Sequence, residues 1–135
     1  MQSVEYFYSR LRFATGAKIA QIKKLSAMKQ TLVQYKIKAE RVQENEQLVR
    51  AVYQQLEQDR LPGFQYMTLK LQDGQTFIHI AFAETAEVND AFTHLSAFQQ
   101  FRENIKDRCE QAPLSNKVEL IGAFGQPFTL AVHSS

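Results

Sequence analysis

The chain has 135 residues, 44% of them hydrophobic and 11% aromatic, with a formal net charge of +2 at pH 7. That length and apolar content fit one domain around a single core and exclude a disordered or low-complexity protein. No apolar run approaches the ~20 residues of a bilayer-crossing helix, so a membrane partner is not expected.

Residues 1–28 stand apart as a basic N-terminal extension, an arm or a leader. Arg10, Arg12, Lys18, Lys23 and Lys24 face only Glu5 there, which leaves the rest of the chain mildly acidic. A basic footprint for nucleic acid is therefore missing from the globular part. The extension lacks the apolar stretch of a secretory signal. It reads as a loosely attached helical arm or one that docks on a partner subunit, as a segment with the composition of an organelle transit peptide, or as an upstream extension with Met28 as the functional start of the domain.

The domain proper is expected over 29–125, with 126–135 as a tail. TLVQYKIK (31–38) alternates, with Val33, Tyr35 and Ile37 on one face, which predicts a strand. Residues 40–59 carry Val42, Leu48, Val49, Val52, Tyr53 and Leu56 on a helical stripe, ended by Leu61-Pro62-Gly63. FQYMTLKLQ (64–72) and QTFIHIAFA (75–83) read as strands joined by Asp73-Gly74, a strong hairpin signal. Residues 83–90 read as a polar connection. Phe92, Leu95, Phe98, Phe101 and Ile105 then predict a helix over 91–109, and VELIGAF (118–124) a last strand. The order βαββαβ is the ferredoxin-like arrangement, an α+β fold with two helices on one face of a four-stranded antiparallel sheet.

The hairpin sets the pairing. Leu69 faces Ile78, Met67 faces Ile80 and Gln65 faces Phe82; this aliphatic face is expected to lie beneath the helices. The other face holds Phe64, Tyr66, Thr68, Phe77 and His79. It is too apolar for water and is expected to cover the same face of a second copy, making a homodimer. His79 there is either a hydrogen-bonded interface histidine, bonded to Thr68 or to Glu119 of the partner subunit, or a proton-transfer group. Cys109, the lone cysteine, reads as a small buried hydrophobe or as a reactive thiol beside Arg108, and it suits a cytoplasmic, reducing setting. No metal-ligand spacing, phosphate loop or nucleophile elbow occurs.

The βαββαβ pattern, the segment FIHIAFAETAEVNDAFTHLSAFQQF (77–101) and the closing VELIGAF resemble the antibiotic-biosynthesis-monooxygenase group of dimeric α+β barrels. The likeness spans about residues 30–125. It implies a homodimer with a pocket between sheet and helices for a small hydrophobic or aromatic molecule. By that resemblance the pocket takes in Val33, Tyr53, Met67, Phe82, Phe98, Phe101 and Arg102. Helix packing and a solvated ion pair are the plainer readings of Tyr53 and Arg102.

The resemblance further implies cofactor-free oxygenation of quinol- or anthrone-type substrates, with no cofactor. It points to His79, His94 and Tyr66 as catalytic candidates. His94 matches a histidine at the start of the second helix in many such proteins; the plain alternative is an exposed or capping residue. The haem-degrading branch is set aside, since its asparagine, tryptophan and histidine positions fall at Val33 or Gln34, at Phe82, and at Phe101 or Arg102. The competing class is a non-catalytic dimerisation or stress-associated protein whose pocket is filled by its own side chains.

Overall fold

The structure is a computed structural model and describes residues 29–125. The proposed basic extension 1–28 and tail 126–135 lie outside the described residues. Strand β1 spans Lys29–Ile37, and a single 3-10 turn at Ala39–Arg41 leads into helix α1, Val42–Asp59. Strands β2, Phe64–Lys70, and β3, Thr76–Ala83, form the hairpin. Three short helices follow, α2 over Ala86–Thr93, α3 over Ser96–Arg102 and α4 over Ile105–Arg108, before strand β4, Cys109–Lys117. The sheet is antiparallel throughout, in the order β2-β3-β1-β4.

The hairpin register is as expected: Leu69 pairs with Ile78 and Thr68 with His79. Asp73 secures the turn, its Oδ1 accepting from the backbone N–H groups of Gln75 and Thr76 at 2.8 Å each. The Thr76 hydroxyl donates to the other carboxylate oxygen, and this bond first, with the two backbone ones, holds the Asp73 carboxyl down at about 2. Gly74, at φ 72°, supplies the left-handed conformation the turn requires.

Two expectations about the second half are corrected. The helical stripe over 91–109 is broken into pieces, because Leu95 is extended and Asn104 sits in the left-handed region at φ 56°. Helix formation also begins earlier, inside the segment read as a polar connection, where the Thr85 hydroxyl caps α2 by accepting from the Val88 N–H. The last strand is not VELIGAF but the polar CEQAPLSNK, paired along the outer side of β1. Pro113 is tolerated because β4 is an edge strand and its register slips opposite Tyr35, between the pairs Gln34–Leu114 and Lys36–Gln111. VELIGAF runs on beyond it, with Ile121 and Phe124 exposed.

The larger correction concerns which face of the sheet is covered. Tyr35, Ile37 and Phe77 form one buried cluster with Val49, Val52, Phe92 and Phe101 from the helices. The face carrying Phe77 and His79 is therefore packed beneath the chain's own helices, and does not cover a second copy as expected. The aliphatic side is the more open one, with Leu69 and Leu114 at 46% and 65% exposure, although Phe82 on that side is buried. Both faces are apolar, and pairing register says nothing about which receives the helices. The aromatic face does so because α1, α3 and α4 bring ring partners and hydrogen-bonding groups that match it.

Candidate functional site

The site grows from the alternation of β1 and β3. Val33 and Tyr35 on β1 lie opposite His79 and Phe77 on β3, all on the covered side. The Tyr35 ring stacks on Phe77 at 5.6 Å and on His79 at 5.3 Å between centroids, and Phe101 closes over Tyr35 and His79, at 6.0 and 5.3 Å. His79 is only 5% exposed. Burial pushes its imidazole down to about 4, so the ring is neutral at physiological pH.

Both ring nitrogens are bonded. His79 Nε2 meets the Tyr35 hydroxyl at 2.7 Å, while Nδ1 meets the hydroxyls of Tyr66 at 2.5 Å and Thr68 at 3.2 Å. Behind Tyr35, Asn45 Nδ2 donates to the same hydroxyl at 3.0 Å, and Arg108 Nη2 donates to Asn45 Oδ1 at 3.3 Å. Arg108 is 2% exposed, its guanidinium also donating to the carbonyls of Phe101 and Glu103. In front, the Thr68 hydroxyl lies 2.7 Å from that of Tyr53. A polar chain thus crosses the aromatic core, from buried Arg108 to Tyr53 at the α1–β2 edge. Burial raises the pKa of Tyr35, Tyr66 and Tyr53 alike, so all three remain hydroxyls.

The outer end of this chain borders two grooves between α1 and β2. The larger, about 420 Å³, is lined by Tyr53, Leu56, Arg60, Leu61, Phe64 and Tyr66 among others. The smaller, about 210 Å³, is lined by Tyr53, Thr68, Lys70 and Phe77 with residues of α1. Tyr53 lines both, while Thr68, hydrogen-bonded to it, lines the smaller and Tyr66 the larger.

The residues singled out from the sequence fall into three groups. His79, Tyr66, Thr68, Tyr53, Phe64, Phe77, Phe98, Phe101 and Val33 meet on the covered side, in or against the aromatic cluster. Met67 and Phe82 lie on the other side by strand alternation, across from Ile80 and Gln65. His94 is exposed at the end of α2, its Nδ1 bonded to the Asp90 carbonyl, so it ends a helix and does not reach a pocket mouth. Arg102 is exposed, its guanidinium 5.6 Å above the Phe98 ring.

Tyr35, Asn45 and Arg108 were not anticipated as site residues. A signal existed for each. Tyr35 shares its strand face with Val33. Asn45 stands four residues before Val49 on the apolar stripe, and Arg108 three after Ile105. Polar groups at stripe positions mark buried hydrogen bonding.

No protein-family model matches the sequence, and comparison with curated proteins finds no match. Solved structures do match. An antibiotic biosynthesis monooxygenase candidate from Nitrosomonas europaea superposes with TM-score 0.61 at 17% identity, over 73% of this chain and 95% of that one. The fold is that of the antibiotic biosynthesis monooxygenase proteins. A second monooxygenase candidate with this fold, from Caulobacter crescentus, gives TM-score 0.61 at 10% identity over 71% and 92% of the two chains. The cofactor-independent oxygenase SnoaB from Streptomyces nogalater, in a mutant form, gives 0.56 at 11% identity over 72% and 96%. Among the described residues no helix is long and apolar enough to cross a membrane, and no cluster of three metal-ligating side chains occurs.

Proposed function

We propose that this chain is a homodimeric member of the antibiotic-biosynthesis-monooxygenase group that binds a small aromatic molecule at the α1–β2 groove. The observation that carries the reading is the hydroxyl cluster of Tyr53, Thr68 and Tyr66 at the edge of the 420 Å³ groove, backed by neutral His79. Phe64 and Tyr53 offer flat apolar walls, and Arg60 with Glu57 supplies a charged rim. Aromatic walls beside convergent hydroxyls and a charged rim suit a small aromatic molecule that carries polar groups.

The specific activity we propose is cofactor-independent oxygenation of a quinol- or anthrone-type compound. Such a substrate becomes electron-rich by giving up its proton to solvent at the open groove, and the protein need only hold it and stabilise the oxygen that gains charge. His79 suits the role of holding the hydroxyls in place: it is buried, its basicity is lowered, and it reaches the groove only through Tyr66 and Thr68. A direct proton abstraction by His79 is not part of this reading.

The dimer is proposed through the open aliphatic face. Leu32, Met67, Leu69, Ile78, Ile80 and Leu114 share that side by strand pairing, and the exposed Ile121 and Phe124 follow it in the chain. A second copy offers the same surface in return, which closes the contact about a two-fold axis.

A non-catalytic structural role is the second reading. It is favoured by the space between sheet and helices, which Phe77, Phe92, Phe98 and Phe101 fill themselves. Incubation with a panel of anthrones and quinols under oxygen separates the two. The enzyme reading expects turnover that falls in Tyr66→Phe and Tyr53→Phe while the fold persists. Absence of binding and of turnover across the panel leaves the structural role.

A further inference from the structure

The polar chain through the core has a direction, and each step follows from what the groups can donate or accept. Arginine only donates, so the Asn45 atom facing Arg108 is Oδ1, which leaves Nδ2 to donate to the Tyr35 oxygen. Tyr35 has one hydroxyl hydrogen. Of its two hydrogen-bonding neighbours among the described residues, Asn45 Nδ2 is itself a donor, so the hydrogen goes to His79 Nε2. A neutral imidazole carries one N–H, and with Nε2 accepting it must sit on Nδ1, donating toward Tyr66 and Thr68. We infer that Arg108 and Asn45, which line neither of the two grooves described, act as positioning residues that set His79 as the Nδ1–H tautomer and thereby make the Tyr53–Thr68–Tyr66 cluster a net hydrogen-bond donor toward the groove.

Hydrogen counting at the outer end gives the consequence. Tyr53, Thr68 and Tyr66 each bring one hydroxyl hydrogen, while their mutual contacts are Tyr53 with Thr68 and Tyr66 with Thr68. Those contacts consume two hydrogens at most, and a histidine that donates consumes none. One hydroxyl hydrogen is left for a molecule in the groove. With the opposite tautomer, Nδ1 would accept that hydrogen and the cluster would have no donor to spare. The ligand class that fits is an aromatic with an acceptor oxygen, a phenolate or a conjugated carbonyl. This last step rests on the groove reading above; the tautomer does not.

The test uses the full chain, labelled with nitrogen-15. Long-range proton–nitrogen correlation at neutral pH, with His79→Gln to assign the ring, is expected to show a bare Nε2 and a protonated Nδ1. Asn45→Asp can accept from both Arg108 and Tyr35, so the Tyr35 hydrogen turns away from the histidine and the pattern is expected to reverse. A wild-type ring protonated on Nε2 overturns the inference, as does a folded Asn45→Asp that keeps the wild-type pattern. Should Asn45→Asp fail to fold, the wild-type spectrum alone still decides the tautomer.

Titration with 4-nitrophenol, followed by its phenolate absorbance, reads the donor character. The wild type is expected to favour the phenolate by about tenfold, the scale of one hydrogen bond to a charged group, and Asn45→Asp to lose that preference. Equal binding of phenol and phenolate overturns the donor assignment. No binding of either form, with the tautomer as expected, overturns the groove reading and leaves the hydrogen-bond direction standing.

Discussion

The two faces of the sheet are both apolar and do opposite things. On the covered face every ring meets another ring: Phe64 and Phe92 lie 4.3 Å apart, as do Phe92 and Phe98, and a continuous hydrogen-bonded chain runs through them from Arg108 Nη2, although the buried Arg108 Nε has no partner among the described residues. The open face is aliphatic, without that order, and leaves Leu69 and Leu114 in contact with solvent. The lesson is that hydrophobicity alone does not choose the covered face. Complementarity does: Asn45 on α1 finds its sheet partner in the Tyr35 hydroxyl, and Arg108 on α4 reaches that face through Asn45.

That contrast can be broken most severely at Phe101, which touches Tyr35, His79, Phe98 and the Arg108 guanidinium. Phe101→Ala is expected to cost about 3–5 kcal/mol in denaturant unfolding, because the fixed rings around it cannot collapse into the space.

His79 gives the next largest effect, and its sign follows from the lowered basicity. Between its ordinary 6.5 and about 4, the unfolded chain binds a proton that the folded chain does not. Stability is thus full above 6.5 and falls as pH drops through that window, by roughly 3 kcal/mol at 1.36 kcal/mol per unit. Unfolding curves at pH 7 and pH 4 measure it, and in His79→Gln this component of the acid sensitivity should vanish.

A smaller effect lies at the end of α1. Arg60 holds φ 56°, ψ 137°, a conformation suited to glycine, while its N–H closes the helix on the Leu56 carbonyl. Arg60→Gly should raise thermal stability by about 1 kcal/mol through relief of that strain. The same change removes the groove's rim cation, so stability and ligand affinity should move apart.

On the open face the smallest change in folding is expected. Leu69→Lys should alter the stability of the folded chain by less than about 0.5 kcal/mol, in keeping with an exposed site. It should nevertheless shift sedimentation toward the monomer if two copies meet there. Unchanged sedimentation of a dimer would place the contact elsewhere.

Much of this architecture was legible in the residues. Alternation over 31–38, the stripe over 40–59, the Leu61-Pro62-Gly63 stop and the Asp73-Gly74 turn each act within a few positions, so β1, α1 and the hairpin could be read with their register. The same local physics failed where two signals competed. CEQAPLSNK looks like a loop because it is polar and holds Pro113, yet one-sided pairing to β1 makes it a strand. VELIGAF looks like a strand, yet β1 has already spent that edge on the residues before it. His94 matched a position in a pattern, but where its side chain points depends on the helix ending at Thr93.

Short-range periodicity, then, determined that this chain is a ferredoxin-like α+β domain and that His79 and the neighbouring isoleucines point opposite ways. Only the tertiary structure decided which way is inward. That choice rests on contacts between segments far apart in the chain, Asn45 with Tyr35 and Arg108 with Asn45 above all, and the value of such contacts exists only once the segments meet. A buried hydrogen-bond donor is costly unless its partner arrives with it, so the polar chain and the covered face are settled together.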